Sequence, residues 1–276
     1  YQKDSLIPLI PQSVRLSKIL YYASCLNHDN VIVSFLSDIY KEALTCKSPD
    51  NLIEHILLIR EKLKKSSISR NEIDMWLICL YYDLANSNKA IEIIDDTDCY
   101  SPLLSLITIL VYEDIGRKED ALYLCNNELK INSGKNLNYE LALLTSRLMI
   151  NFVLGNYQAA LDEYNQLYAN TQYVNLFEYG FLLRNAELIY SESSFKDSLK
   201  PIWESVLHFK KWKAKKMEAY SRITYGIQIA LTGKFQIALK QFEIANRLLK
   251  NVLTERHAIL NNTAVIYLYQ GIRNEE

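Results

Sequence analysis

A short pattern returns every 38–40 residues along the C-terminal part of this chain. It reads Gly116-Arg-Lys-Glu-Asp-Ala121-Leu122, then Gly155-Asn-Tyr-Gln-Ala-Ala160-Leu161, then Gly233-Lys-Phe-Gln-Ile-Ala238-Leu239. A degenerate copy is Ser193-Ser-Phe-Lys-Asp-Ser198-Leu199, and a last one begins at Gly271. Weaker copies centre on Ala85 and Lys47. A fixed period of this length marks an array of supersecondary units, each too small to bury its own apolar side, which therefore stack on one another.

The pattern is that of a helix–turn–helix unit. Apolar residues at helical spacing precede each turn, as in Leu141, Leu144, Leu148 and Phe152. Glycine then ends the first helix, because the chain must turn through a left-handed conformation there. In the second helix the small residue (Ala121, Ala160, Ala238) permits close approach, and Cys125, Tyr164 or Phe242 four positions later fills the groove. With only 7 glycines and 5 prolines in 276 residues, long helices joined by short turns are favoured over an all-β fold. The predicted helices are 12–27, 31–46, 49–65, 70–86, 88–95, 102–115, 117–131, 137–154, 156–169, 173–191, 195–211, 214–232, 234–251 and 254–270. Ser48-Pro49 and Ser101-Pro102 are expected helix starts, Ser69-Arg-Asn-Glu72 a capping box, and Ser194-Phe-Lys-Asp197 a variant of one.

These residues resemble the tetratricopeptide family in a long-unit form, most clearly over 102–271 and more weakly over 31–101. Gly226 falls at the family's small position in the first helix, Gly233 at the turn, and Ala238, Phe242 and Ala245 at the packing positions of the second helix. The family's proline after the second helix is absent, and its first-helix aromatic is present as Tyr112 and Tyr267 but replaced by Asn151, Ile189 and Ile229 elsewhere. The resemblance implies an all-α, right-handed superhelical solenoid of antiparallel helix hairpins: a single domain over 1–276, degenerate in 1–101 and clearer in 102–276. Long-unit arrays of this kind look like the sensor arms of bacterial STAND NTPases, a class that includes antiviral defence proteins. The chain, which starts at Tyr1, is accordingly read as a piece of a larger cytoplasmic protein.

Nothing in the sequence has the spacing of a catalytic or cofactor motif. Gly226 to Lys234 is wrong for a phosphate loop, and no Ser or Thr follows the lysine. His28, His55, His208 and His257 lack a second ligand at helical spacing and are expected at the surface or in loops. Asp95, Asp96 and Asp98 lack the rest of a calcium loop and are expected to be a solvated, helix-capping stretch. Cys25, Cys46, Cys79, Cys99 and Cys125 contain no paired spacing and are read as reduced, buried thiols. A net charge of −1 gives no global field toward polyanions, and no apolar run is long enough to span a membrane. The expectation is therefore a non-catalytic fragment without metal or cofactor, binding a protein or peptide, with no membrane partner and nucleic acid disfavoured.

The family geometry places the inner stripe of each first helix on a concave face. Its polar and aromatic members, Glu113, Thr145, Phe152, Glu187, Tyr190, Tyr220 and Asn261, are the candidate partner-binding residues. Packing between neighbouring units is the competing use of the same stripe, favoured for its leucines. A secondary candidate is the basic run of Lys210, Lys211, Lys213, Lys215 and Lys216 around Trp212. Its competing reading is a helix end with cations on the dipole, a solvated turn and an inward-packed tryptophan. The alternative function is a receptor for a small ligand or signalling peptide in a transcriptional regulator, which requires an enclosed pocket with convergent polar groups.

Overall fold

The computed structural model describes residues 50–63, 68–97, 101–132, 134–192, 194–249 and 259–268. Helices predicted at 12–27 and 31–46, the start at Ser48-Pro49, Cys25, Cys46, Cys99, His28, His257, Asp98 and the turns at Lys47, Ser193 and Gly271 lie outside the described residues. Among the described residues every regular element is a helix: α1 (Asp50–Lys62), α2 (Ile68–Asp83), α3 (Ser87–Asp96), α4 (Pro102–Asp114), α5 (Lys118–Asn132), α6 (Leu137–Val153) and α7 (Tyr157–Ala169). Then follow α8 (Tyr179–Arg184), α9 (Ala186–Ile189), α10 (Phe195–Lys211), α11 (Lys215–Leu231), α12 (Phe235–Leu248) and α13 (259–268). The all-helical fold expected from the repeat is the one observed.

Contacts divide the chain into two compact units, 1–124 and 125–276, with the boundary inside α5. In the first unit, α1 to α4 enclose Ile73, Leu77, Ile78, Leu80, Tyr81 and Ala90. In the second unit, α6 packs on α7, α10 on α8, and α11 on both α10 and α12. Its two apolar clusters centre on Leu148, Tyr164, Ala186 and Ile202, and on Ala219, Ala238, Phe242 and Ala245.

The turns explain the repeat signature. Gly116, Gly155 and Gly233 all have positive φ, at 83°, 85° and 81°, where a Cβ would be strained. The residue after the first two donates its N–H to a carbonyl five positions back, Arg117 to Tyr112 O (2.8 Å) and Asn156 to Asn151 O (2.9 Å). This closes the exposed helix end in a Schellman arrangement. Ala85 (φ 54°) does the same, Asn86 N–H reaching Tyr81 O at 2.8 Å, which accounts for the weak repeat copy there.

Second-helix packing follows the predicted positions, since Ala121, Ala160, Ala238, Cys125, Tyr164 and Phe242 are all buried. Gly226 has a separate reason for lacking a side chain: an added Cβ would lie 2.5 Å from Cε1 of Phe242. Ser101 caps α4 by accepting from Leu104 N–H at 3.1 Å, with Pro102 in the first turn, as expected.

Several local expectations are corrected. Ser69 lies inside α2, which begins at Ile68, so the capping box is not the start of that helix. Ser194 occupies the N-cap of α10, but its side chain makes no cap bond. The helix expected at 173–191 is instead a run of turns over 170–178 followed by α8 and α9, separated at Asn185. There Leu188 N–H bonds Asn185 O, a tightened three-residue step within the helical path. Caps that went unrecognised are Asn86 and Asn136, whose side chains accept from Lys89 and Tyr139 N–H.

Candidate functional site

In the second unit the first helices bring a polar group together from α8, α9 and α11. Gln228 Nε2 donates to Glu187 Oε1 at 3.0 Å, while the other amide atom, Gln228 Oε1, is buried without a hydrogen-bond partner among the described residues. Arg184 lies one turn before Glu187. Burial pulls its guanidinium below the usual arginine range, and the Glu187 carboxylate opposes that shift, with a smaller contribution from the nearby Tyr220 phenol. The Arg184 guanidinium also sits over the Phe181 ring at 5.6 Å. Half-buried Arg184, Glu187 and Tyr220 thus form one polar cluster with buried Gln228, and of these the sequence pattern indicates Glu187 and Tyr220. Arg184 was legible as an opposite charge at helical spacing from Glu187. Gln228 gives no signal in the sequence, because its place depends on how α11 meets α9.

The other predicted residues go elsewhere. Tyr190 turns toward α7, donating to Asn165 Oδ1 at 2.9 Å and meeting Tyr164 edge-on at 5.6 Å between centroids. Phe152 packs against Tyr157, centroids 5.1 Å apart. Thr145 is buried with its hydroxyl unpartnered, so it is not a surface contact. Asn261 is exposed on α13. Glu113, in the first unit, is half-buried with Oε1 unpartnered among the described residues, and desolvation pushes its carboxyl up to about 7.

The basic run spans the α10–α11 turn. Lys210, Lys211, Lys213, Lys215 and Lys216 are all exposed. Trp212 is 47% exposed rather than packed inward, with its ring edge-on to Phe177 at 5.6 Å. His208 is not the surface histidine expected. It is half-buried among Tyr179, Phe209 and Trp212, and desolvation lowers its pKa.

Asp96, expected in a solvated stretch, is structural. Asp96 ends α3 and pairs with both Arg60 and Arg70 at 2.9 Å, while Asp74, buried in α2, pairs with the same two arginines. This locks α1, α2 and α3 together within the first unit. Cys125 is buried and donates to Leu143 O at 3.1 Å, whereas Cys79 is only half-buried. Among the described residues no group of His, Cys, Asp and Glu is arranged to hold a metal. No described helix is long and apolar enough to cross a membrane. A cavity of about 290 Å³ opens among α11, α12 and α13, lined by Ile227, Ala230, Phe235, Phe242 and Val265, with Asn262 its polar side chain.

Over 92% of its length the chain is similar, at TM-score 0.56 and 12% identity, to a Pyrococcus horikoshii signal transduction ATPase with numerous domains (STAND) that carries a tetratricopeptide repeat sensor. That likeness shows a helical-repeat fold. The chain spans 40% of the length of that protein. A second solved structure, BtubC from P. vanneervenii, is similar over 78% of this chain and 89% of its own, at TM-score 0.45 and 16% identity. No family model matches the chain, and no curated protein does.

Proposed function

We propose that this chain is a non-catalytic recognition scaffold that takes a protein or peptide against its first helices, centred on Arg184, Glu187, Tyr220 and Gln228. The observation that carries the reading is the unmet hydrogen-bonding capacity of that cluster. The buried amide oxygen of Gln228 has no donor among the described residues, and Glu187, which accepts from the same amide, lies near the desolvated Arg184 guanidinium. A peptide backbone N–H answers the first once the Gln228 amide turns outward, and a backbone carbonyl or carboxylate answers the second. An enclosed small-molecule pocket is less well supported, because the cavity at α11 to α13 is apolar apart from Asn262.

The finer reading is that the array is the target-sensing arm of a STAND NTPase serving antiviral defence in the cytoplasm. It is supported by likeness to a protein whose sensor is itself a tetratricopeptide array. Two measurements test these levels separately. Peptides selected against the chain from a random display library are expected to lose about tenfold or more in affinity on Glu187→Arg or Arg184→Ala, with helicity unchanged. Peptides indifferent to both substitutions remove the site. For the finer reading, the natural polypeptide should hydrolyse ATP faster once the trigger is bound, and a natural polypeptide with no nucleotide-binding core refutes it.

A further inference from the structure

We propose that the α10–α11 turn is a second docking surface, taking an acidic segment of a partner protein by charge. Five lysines stand exposed within seven residues. Lys211 reaches only a neutral partner, Asn175 Oδ1 at 3.5 Å, and Lys216 lies over the Tyr220 ring at 5.6 Å. Lys210, Lys213 and Lys215 make no ion pair among the described residues. Like charges packed this closely repel one another, and an acidic chain laid across them relieves the repulsion.

The fold explains only Lys210 and Lys211, which lie in the last turn of α10 where cations favour the dipole. Lys215 and Lys216 begin α11, where cations oppose the helix dipole, and α11 has no side-chain cap. By contrast the first turn of α5 carries Glu119 and Asp120, the favoured arrangement. Lys213 holds a left-handed backbone, φ 56°, in a turn closed by Ala214 N–H to Phe209 O at 3.0 Å. The equivalent conformation falls to glycine at Gly116, Gly155 and Gly233. A lysine is kept where glycine fits the backbone better.

Two features favour carboxylates on a protein over phosphates on a nucleic acid. The run contains lysine and no arginine, the residue suited to bidentate phosphate contacts. The patch is confined to one turn and bordered by apolar surface, Leu207 at 49% exposure one helical turn before Lys210 and Lys211, and Trp212 at 47%. That ledge suits an aliphatic or aromatic side chain carried between acidic residues. The surface goes beyond the first-helix site and stands without it.

The test uses the whole chain and three fluorescent probes: an Asp/Glu-rich dodecapeptide carrying leucine and phenylalanine, its Asn/Gln counterpart, and an oligothymidylate of equal length. Anisotropy titrations are expected to show salt-sensitive binding of the acidic peptide and little of the neutral one. Lys210→Glu/Lys213→Glu/Lys215→Glu should weaken it about tenfold or more. A control with the same charge change on other exposed lysines, Lys196→Glu/Lys234→Glu/Lys240→Glu, should change it less than threefold. Lys213→Gly alone should weaken binding without lowering the melting temperature, which separates loss of charge from loss of fold. Glu187→Gln should leave acidic-peptide binding intact, so that failure of the first-helix site is distinguished from failure of this one. The proposal is overturned by absence of acidic-peptide binding, by equal losses in control and patch variants, or by oligothymidylate binding more tightly through the same lysines.

Discussion

Gly226→Ala should destabilise the second unit, although alanine is the better helix former. Gly226 lies in the interior of α11, where replacing glycine with alanine ordinarily gains about 1 kcal/mol. Here the new Cβ would stand 2.5, 2.9 and 3.2 Å from Cε1, Cδ1 and Cζ of Phe242. Carbon atoms settle at about 3.5–4.0 Å, so the ring would have to retreat by roughly 1 Å. The ring is 2% exposed and lines the cavity among α11, α12 and α13, so a retreat into that space would cost its present contacts on α11. Overpacking of this kind costs about 1–3 kcal/mol, which leaves a net loss of up to roughly 2 kcal/mol after the helix gain. Phe242→Leu alone should cost about 1 kcal/mol, because the shorter side chain leaves a gap beside Gly226. Combined with it, Gly226→Ala should be neutral or favourable, since the methyl occupies space the ring edge has left. Urea titrations followed by circular dichroism at a common slope give the four free energies of the cycle. A more stable Gly226→Ala, or simple additivity of the two changes, would refute the steric account and leave helix propensity as the governing term.

Two further outcomes follow from the first unit. Asp74→Ala removes the carboxylate shared by Arg60 and Arg70, whose side chains are 9% and 6% exposed; it should cost roughly 3–5 kcal/mol in a urea melt, and a loss below about 1 kcal/mol would show that the pairing is not structural. Burial raises the Glu113 carboxyl from 4.5 to about 7, so the folded state holds its proton more tightly than the unfolded chain. Stability should therefore fall as pH rises from 4.5 to 7 and level off above, by roughly 2 kcal/mol after allowing for solvent screening, and Glu113→Gln should flatten that slope. An unchanged slope in the variant would place the titration on another group.

The fold was legible because the features that define it are local. Gly116, Gly155 and Gly233 punctuate the chain where φ turns positive, and the small residue five positions later marks where two helices meet. Most described helices begin and end within a few residues of the periodicity reading. The misses are also physical. Nothing local distinguishes 170–178 from the start of a helix, because that segment is held by side chains of α6 and α10, as where Tyr173 Oη donates to Glu140 Oε1 at 3.4 Å and Phe177 meets the Phe209 ring edge-on at 5.5 Å. The site was half legible. Spacing within a helix can propose Glu187 and Tyr220, but only the meeting of α9 and α11 puts Gln228 on Glu187. For the same reason Asp96 read as a loop acid until α1 and α2 brought two arginines to it.

The packing positions explain how the helical-repeat fold survives here with so faint a family pattern. In register, the first-helix small position and the second-helix aromatic position are Gly226 and Phe242 in one unit, Ala186 and Ile202 in the one before, and Leu148 and Tyr164 in the one before that. All six are buried. The expected small-with-aromatic pairing is met fully once; elsewhere the first-helix residue grows and the second-helix residue is free to be aliphatic or aromatic, as volume allows. A core tolerates such exchange provided the space is filled. The hairpins therefore hold their geometry while a consensus of residue types dissolves. That geometry supports Arg184, Glu187, Tyr220 and Gln228, whose types the core does not dictate. Specificity for a partner is best sought there and at the lysine turn, where the residues present go beyond what stacking the helices requires.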